Sequence, residues 1–458
     1  MRRRGFVLNS AVLILLIPIL LLVATYEDVS SQIIQAQSER VQIERSFSST
    51  AYFDIDFQRA LEIAGKRAVV AAVDYVSVTG RFLNSTMVNE TIRELILFGN
   101  STVFSDSGYN QDIMGNQSLE KWLKLVREKL MEQGFYLLPE NDTLIINRTE
   151  IVVAPLDSFR VVVKAKIHNI TIVDTSGKVV YTGSIPKTTN YTYAIVDIRE
   201  LEDPLFPPMT GGKYHRSIRA CLYPFPELIE KPIIALDGVG ESTEKYIVGF
   251  YGQDILYNST HIWKDSSYIT NITLNGIPVS PIHSLNDWDR GVLVFKDPQT
   301  QPKLSNATAY DIQPFIDCII DQRYFGVYNG WSLFERLEGS SANHEAYFNL
   351  SKQLQEELGL LKNGKYYPIG LLSFLLPDSD WDAKLVNTLN QLGVLLDNQT
   401  VVDYYFLQYH FASGSKIEGY KMRGIEGYID NFYIDNETAI AIFGEQGACD
   451  LLEGYTCS

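Results

Sequence analysis

Apolar residues fall in two regimes along the chain, one of helical spacing before residue 80 and one of strict alternation after residue 143. A stretch from Phe6 to Tyr26 is interrupted only by Asn9, Ser10 and Pro18. Beyond it Val29, Ile33, Ala36, Ile43 and Phe47 recur at three, four and seven, and Phe57, Leu61, Ala64, Ala68, Ala71 and Tyr75 do so again. That spacing predicts one apolar stripe on a long helix over 27–80, with a kink or break between Phe47 and Asp56, where Ser48, Ser49, Thr50, Asp54 and Asp56 compete with helical bonding. Residues 81–135 read as helix and loop, with an amphipathic helix from Ser118 to Phe135 ended near Gly134. The period then becomes two. Leu144–Val153, Phe159–Thr171, Val179–Ile185 and Tyr191–Ile198 read as strands, with Asp174-Thr175-Ser176-Gly177 as a hairpin turn.

A Pro- and Gly-rich linker is expected over 201–232, and a second mixed α/β domain over 233–458. The latter has strands at Pro232–Leu236, Lys245–Tyr251, Tyr268–Leu274, Gly291–Phe295, Thr400–Phe411 and Phe432–Phe443, and helices at Ala342–Leu360 and Trp381–Leu396. The expected fold class is α+β: a long N-terminal transmembrane and amphipathic helix packed on an antiparallel sheet in a head over 81–200, followed by that second extracellular domain.

The Phe6–Tyr26 segment has about 20 residues, the length of a membrane-spanning helix. Arg2, Arg3 and Arg4 precede it and Glu27 and Asp28 follow it. By the positive-inside rule this predicts a basic cytoplasmic leader over 1–5, an anchor over 6–26 and a single-pass cell-membrane protein with its bulk outside. The rival reading is a secretory signal cleaved near Ala24, which Leu22, three positions before the cut, fits poorly.

Fourteen asparagines stand in Asn-x-Ser/Thr sequons: Asn84, Asn89, Asn100, Asn116, Asn141, Asn147, Asn169, Asn190, Asn258, Asn271, Asn306, Asn349, Asn398 and Asn436. They are more than half of all the Asn residues, against roughly one in seven from ordinary Ser and Thr usage. Such an excess predicts a glycosylated, exported exterior. A net charge of −16 gives no basic footprint for nucleic acid. Cys221, Cys318, Cys449 and Cys457 all lie beyond the first helix, where disulfides are expected. Of the three connectivities, proximity favours Cys221 with Cys318 and Cys449 with Cys457.

The leader resembles that of type IV pilin-like proteins, particularly archaeal ones and the large minor pseudopilins. Arg4-Gly5-Phe6 places a basic residue and Gly ahead of a hydrophobic segment that contains Pro18, and Ala60-Leu61-Glu62-Ile63-Ala64-Gly65 with Ala68 is similar to the Ala-Glu-Ala-Gly region of minor pilins. The resemblance covers about 80 residues. It implies cleavage between Gly5 and Phe6, a freed helix packing in a filament core, and other pilin-like subunits as partners. Many pilins carry Glu five residues into the mature chain; Ser10 stands there, as in a tip-type minor subunit rather than a shaft protein.

Catalytic and cofactor motifs are sparse. Gly238-Val239-Gly240 lacks the later Gly, Lys and Ser/Thr of a phosphate loop. Asp378-Ser379-Asp380-Trp381-Asp382 copies the first positions of a calcium loop, but Ala383 replaces its turn Gly and Leu389 its bidentate Glu. His168, His215, His261, His283, His344 and His410 show no metalloprotease spacing. The expectation is therefore no metal, no cofactor and no catalysis. The favoured reading is a surface filament or secretion-apparatus subunit that assembles and adheres, with a surface glycan or protein as receptor; the alternative is an anchored hydrolase of surface polymers. Mass spectrometry of the protein from its native host is expected to show a mature chain starting at Phe6. A chain starting at Met1 or Thr25 would count against the pilin resemblance.

Overall fold

The computed structural model describes residues 3–83, 87–109, 111–221, 313–361, 363–376 and 431–456, with short pieces at 246–248, 256–258, 273–274, 277–278, 291–295, 307–311, 387, 400–403, 419–422, 425 and 429. For 3–15, for several positions between 17 and 51 and for the pieces between 246 and 311 it describes backbone alone. Helix α1 (Arg3–Thr79) opens the chain, followed by α2 (Val88–Phe98), α3 (Thr102–Ser107) and α4 (Leu119–Glu132). Next come β1 (Phe135–Leu138), α5 (Asp142–Asn147), β2 (Thr149–Asp157), β3 (Arg160–Asp174), β4 (Val179–Ile185), β5 (Thr192–Asp197) and α6 (Phe206–Thr210). The short strands β6 (Tyr246–Val248), β7 (Leu256–Asn258), β8 (Thr273–Leu274), β9 (Ile277–Pro278), β10 (Gly291–Phe295) and β11 (Ala307–Asp311) precede α7 (Gln313–Ile320), β12 (Phe325–Val327), α8 (Leu333–Glu338) and α9 (His344–Glu357). The chain ends with β13 (Gly370–Leu372), β14 (Phe374–Leu375), β15 (Val401–Val402), β16 (Tyr420–Lys421), β17 (Tyr433–Ile434) and α10 (Asn436–Leu451).

This is a mixed α/β protein with antiparallel strand pairs. The central strand of the main sheet is β3, whose 15 residues pair with β1, β2, β4 and β5. β1 and β4 meet it over Ile167–Asp174, and a register shift between Ile167 and Ile170 marks a bulge. The β3–β4 turn forms at the expected residues. Asp174 Oδ1 accepts from the N–H groups of Ser176 and Lys178, and Gly177 supplies the left-handed conformation that the turn needs.

The membrane expectation is corrected. Among the described residues no helix is long and apolar enough to cross a membrane. Neither the anchor over 6–26 nor the single-pass cell-membrane location stands, and the fold class loses its transmembrane element.

Packing divides the chain into two compact units, the first made of Met1–Leu61, Leu119–Glu150 and Ala165–Thr192, the second of Glu62–Ser118, Ile151–Lys164 and Tyr193–Ser458. In the first unit α1 continues without a break through the expected weak point. The reason lies in the two aspartates that suggested it. Asp56 accepts from the Trp122 indole at 2.8 Å, and Asp54 accepts from the Lys187 N–H at 3.1 Å. Their carboxylates thus have partners elsewhere and do not compete for the helix backbone. Phe53 and Phe57 pack on the Trp122 ring at 5.5 and 5.4 Å. Arg127 fastens α4 to the following segment, donating to Leu137 O, Pro139 O and Asp142.

In the second unit Ala64, Ala68, Ala72 and Val76 of α1 are fully buried while Lys66 is exposed. A Cβ built on Gly65 would lie 3.1 Å from Val163 Cγ2 and 3.5 Å from Val196 Cγ2, so glycine there lets the helix backbone approach β3 and β5. Against the β2–β3 hairpin lies α9: Gln355 Nε2 donates to Leu156 O at 2.8 Å, and Lys164 pairs with Glu357 at 2.7 Å. A further core gathers Phe315, Phe325, Phe374, Phe432 and Phe443.

Other expectations shift. Leu144–Val153 is half helix, because Asn141 caps α5 by accepting from Thr143 N and the strand starts only at Thr149. Phe432–Phe443 is a strand of two residues followed by α10, whose first turn Asp435 caps through Thr438 N. The described part of the expected linker, 201–221, is not an exposed connector: Asp203, Leu205 and Phe206 are buried in the second unit. Pro232–Leu236, Trp381–Leu396 apart from Asn387, Gly238-Val239-Gly240 and Asp378 to Asp382 lie outside the described residues.

The second unit holds one fully buried cation between two carboxylates. Arg336 Nη1 donates to Asp203 Oδ2 at 2.6 Å and Nη2 to Asp403 Oδ2 at 2.8 Å, while its other N–H groups reach Trp331 O and Leu371 O. Replacing Arg336 by Leu is expected to cost about 3–5 kcal/mol in urea unfolding, because two acids are left buried without their cation. Adding Asp203→Asn and Asp403→Asn to that variant should recover part of the loss. Equal stability of the first variant and the native protein would contradict this role of Arg336.

Candidate assembly surface and glycan acceptors

Helix α1 changes character along its length. Its last turns are sealed in, whereas Leu16, Ile19, Leu20, Leu21, Leu22, Val23, Tyr26, Val29, Ile33, Ile34 and Val41 are exposed, Leu22 at 70% and Ile34 at 63%. From Ile19 to Val23 consecutive exposed apolar residues surround the helix. Further on, Leu22, Tyr26, Val29, Ile33 and Ala36 are spaced four, three, four and three, a seam of the kind two helices share. Polar support is modest: Arg40 pairs with Glu44 one turn on at 3.0 Å, and Thr25 bonds back to Leu22 O. Exposed apolar area on this scale marks a surface made to be covered. Gly5 and Phe6, the expected cleavage residues, fall within the helical backbone of α1.

Asparagine acceptors follow the opposite rule. No sequon occurs before Asn84, so the whole of α1 is without one. Asn100, Asn116, Asn141, Asn147, Asn169, Asn190 and Asn349 are exposed and Asn89 and Asn436 half-buried; none of the described acceptors is buried. Several sit where a side-chain amide already organises the backbone. Asn141 caps α5 through its oxygen, which leaves Nδ2 for sugar, and Asn169 stands with positive φ at the β3 bulge. The side chains of Asn84, Asn258, Asn271, Asn306 and Asn398 lie outside the described residues.

Cys221 and Cys318 form a disulfide with Cα atoms 5.5 Å apart, closing a separation of 97 residues. Cys449 is also disulfide-bonded, and Cys457 lies outside the described residues.

Of the histidines, His168, His215 and His344 are described, and each meets a single carboxylate: Glu150, Glu202 and Glu335 respectively. The bond from Glu335 raises the affinity of His344 for a proton against the opposing effect of burial, and Glu202 does the same for His215. Glu335 is occupied twice over, since it also completes a capping box with Ser332 at the start of α8. Among the described residues no group of three His, Cys, Asp or Glu side chains could hold a metal ion. The buried Arg336 pair and the partners of Asp54 and Asp56 escaped the sequence reading, since partners 66 to 133 positions apart carry no local pattern to join them.

No family model matches the chain, and neither the curated proteins nor the solved structures yield a match.

The sugar and disulfide readings make a joint prediction. Glycopeptides from the native host should map to Asn100, Asn116, Asn141, Asn147, Asn169, Asn190 and Asn349, and reduction should lower the melting temperature, the Cys221–Cys318 loop alone contributing roughly 4–5 kcal/mol by chain entropy. Unmodified asparagines and a reduction-insensitive melt would overturn both.

Proposed function

We propose that this protein is a pilin-like minor or tip subunit of a surface filament or secretion apparatus, exported and N-glycosylated, whose work is assembly and adhesion. One observation carries the reading: a single helix of 77 residues buries its C-terminal part in folded units and leaves Leu, Ile and Val side chains exposed on its N-terminal part. A helix apolar on all sides in water needs a covering, and the helices of neighbouring subunits supply one. The seam from Leu22 to Ala36 suits helix-to-helix packing, and the lack of sequons in α1 keeps bulky sugar off it. Ser10 in place of the acidic residue of many pilins accords with a subunit present in few copies.

The parts of the chain that follow α1 take the adhesive role in this reading. Their exterior carries the acceptor asparagines, and an acidic, sugar-coated surface resists non-specific association.

Leu22→Lys with Ile33→Lys, expressed in the native host, tests the assembly surface. Both side chains are exposed, so stability should change by less than about 0.5 kcal/mol, while the amount co-purifying with surface filaments should fall more than tenfold. Unchanged incorporation, or a native protein never found with filaments, would sink the proposal.

A further inference from the structure

Three of the Asn-x-Ser/Thr acceptors lie inside helices: Asn89 in α2, Asn349 in α9 and Asn436 in α10. At 3.6 residues per turn, side chains two positions apart point about 200° around a helix, so an asparagine turned to solvent turns its sequon hydroxyl inward. The folded chain has that arrangement. Asn349 is exposed and Asn89 and Asn436 are half-buried, whereas Ser351, Thr91 and Thr438, two positions on, are at most 1% exposed. Ser351 Oγ donates to Leu156 O at 3.1 Å and accepts from Gln355 Nε2 at 3.0 Å. Thr438 Oγ1 donates to Asp435 Oδ2 at 2.7 Å, and Thr91 Oγ1 is sealed from solvent. Asn147 makes a fourth case at the end of α5, since Thr149 is buried and donates Oγ1 to Ile145 O at 3.0 Å.

The hydroxyl defines the sequon, so the transferase has to reach it together with the asparagine amide. In the transfer Asn Nδ2 bonds to the anomeric carbon of a phosphate-linked sugar donor. The anomeric C–O bond breaks, the phosphate leaves with its electron pair, and Nδ2 gives one proton to a base of the transferase. Amide and hydroxyl must therefore face one active site, and at Asn89, Asn349 and Asn436 the folded helix holds them apart. Asn100 and Asn141 differ, because Thr102 and Thr143 are exposed along with them.

We infer that Asn89, Asn147, Asn349 and Asn436 receive their sugar while the chain is still unfolded, so that glycosyl transfer precedes folding and the chain meets the transferase as an extended polypeptide. The folded state accommodates the product, because the asparagines, unlike the hydroxyls, are not buried. The inference rests on the exported, N-glycosylated part of the proposed function and adds the order of its steps.

The full chain made in a host without N-glycosylation provides the test. One sample is folded with its disulfides formed; the other is reduced and carboxymethylated, and near-ultraviolet circular dichroism verifies that its tertiary packing is lost. Both are incubated with membranes of the native host, which supply transferase and donor, and occupancy at each asparagine is read by peptide mass spectrometry. The unfolded chain is expected to take sugar at all six positions. The folded chain should take it at Asn100 and Asn141, with occupancy at Asn89, Asn147, Asn349 and Asn436 at least tenfold below that of the unfolded chain. Equal occupancy of Asn349 and Asn436 in the two samples overturns the inference. Sugar on the unfolded chain at Asn100 and Asn141 but at none of the other four also overturns it, and leaves the glycosylated reading standing. No sugar at any position in either sample overturns both.

Discussion

Much of the second unit is organised by a single guanidinium that water does not reach. Arg336 joins α8 to the Asp203 segment, to the strand pair around Leu371 and to the piece that carries Asp403. Asp203 is further held by the Tyr324 hydroxyl at 2.7 Å and by Leu205 N, and Asp403 by Ser373 through both backbone and side chain. Burial lifts Asp203 above the usual carboxylate range against the pull of Arg336, and the nearby Asp403 adds to the lift. A buried charge of this kind stabilises little compared with well-packed hydrophobes, but it tolerates few alternative arrangements because each lost partner is costly. Tyr324 extends the same constraint, since its ring also faces the Arg216 guanidinium.

Helix α1 belongs to the opposite physical regime. Up to Val41 its exposed apolar side chains have not been withdrawn from water, whereas from Phe53 onward the same kind of spacing is buried. The difference is set by which residues meet the helix. Trp122 covers Phe53 and Phe57 in the first unit, and Val163 and Val196 meet the small-residue face at Gly65 in the second. At roughly 25 cal/mol per Å² of apolar area removed from water, covering the exposed half offers a large driving force for association.

Local rules were legible where neighbours in the chain decide the outcome. Strand β4 and strand β10 lie where alternation placed them, the Asp174 to Gly177 turn has its expected chemistry, and Leu61, Ala64 and Ala68 face inward as their spacing required. The errors occurred where a cap outweighed alternation. Asn141 and Asp435 each start a helix by accepting one N–H bond, and the apolar residues after them, Leu144 to Ile146 and Ala439 to Phe443, fit a helix as well as a strand. The supposed break near Asp56 and the supposed linker near Asp203 failed for a related reason: polar residues that signal exposure when read alone are buried or engaged by distant partners.

By itself the sequence determined the periodicity of α1, the density of Asn-x-Ser/Thr sequons, the acidic charge and the presence of cysteines beyond the first helix, since these depend on residue identity and near neighbours. Tertiary structure alone decided which half of α1 is buried and that Arg336 sits between Asp203 and Asp403, whereas the Cys221–Cys318 pair is the one that proximity in the sequence favoured. The burial of α1 and the place of Arg336 are set by the packing of other elements, and no spacing along the chain encodes a distance across the fold.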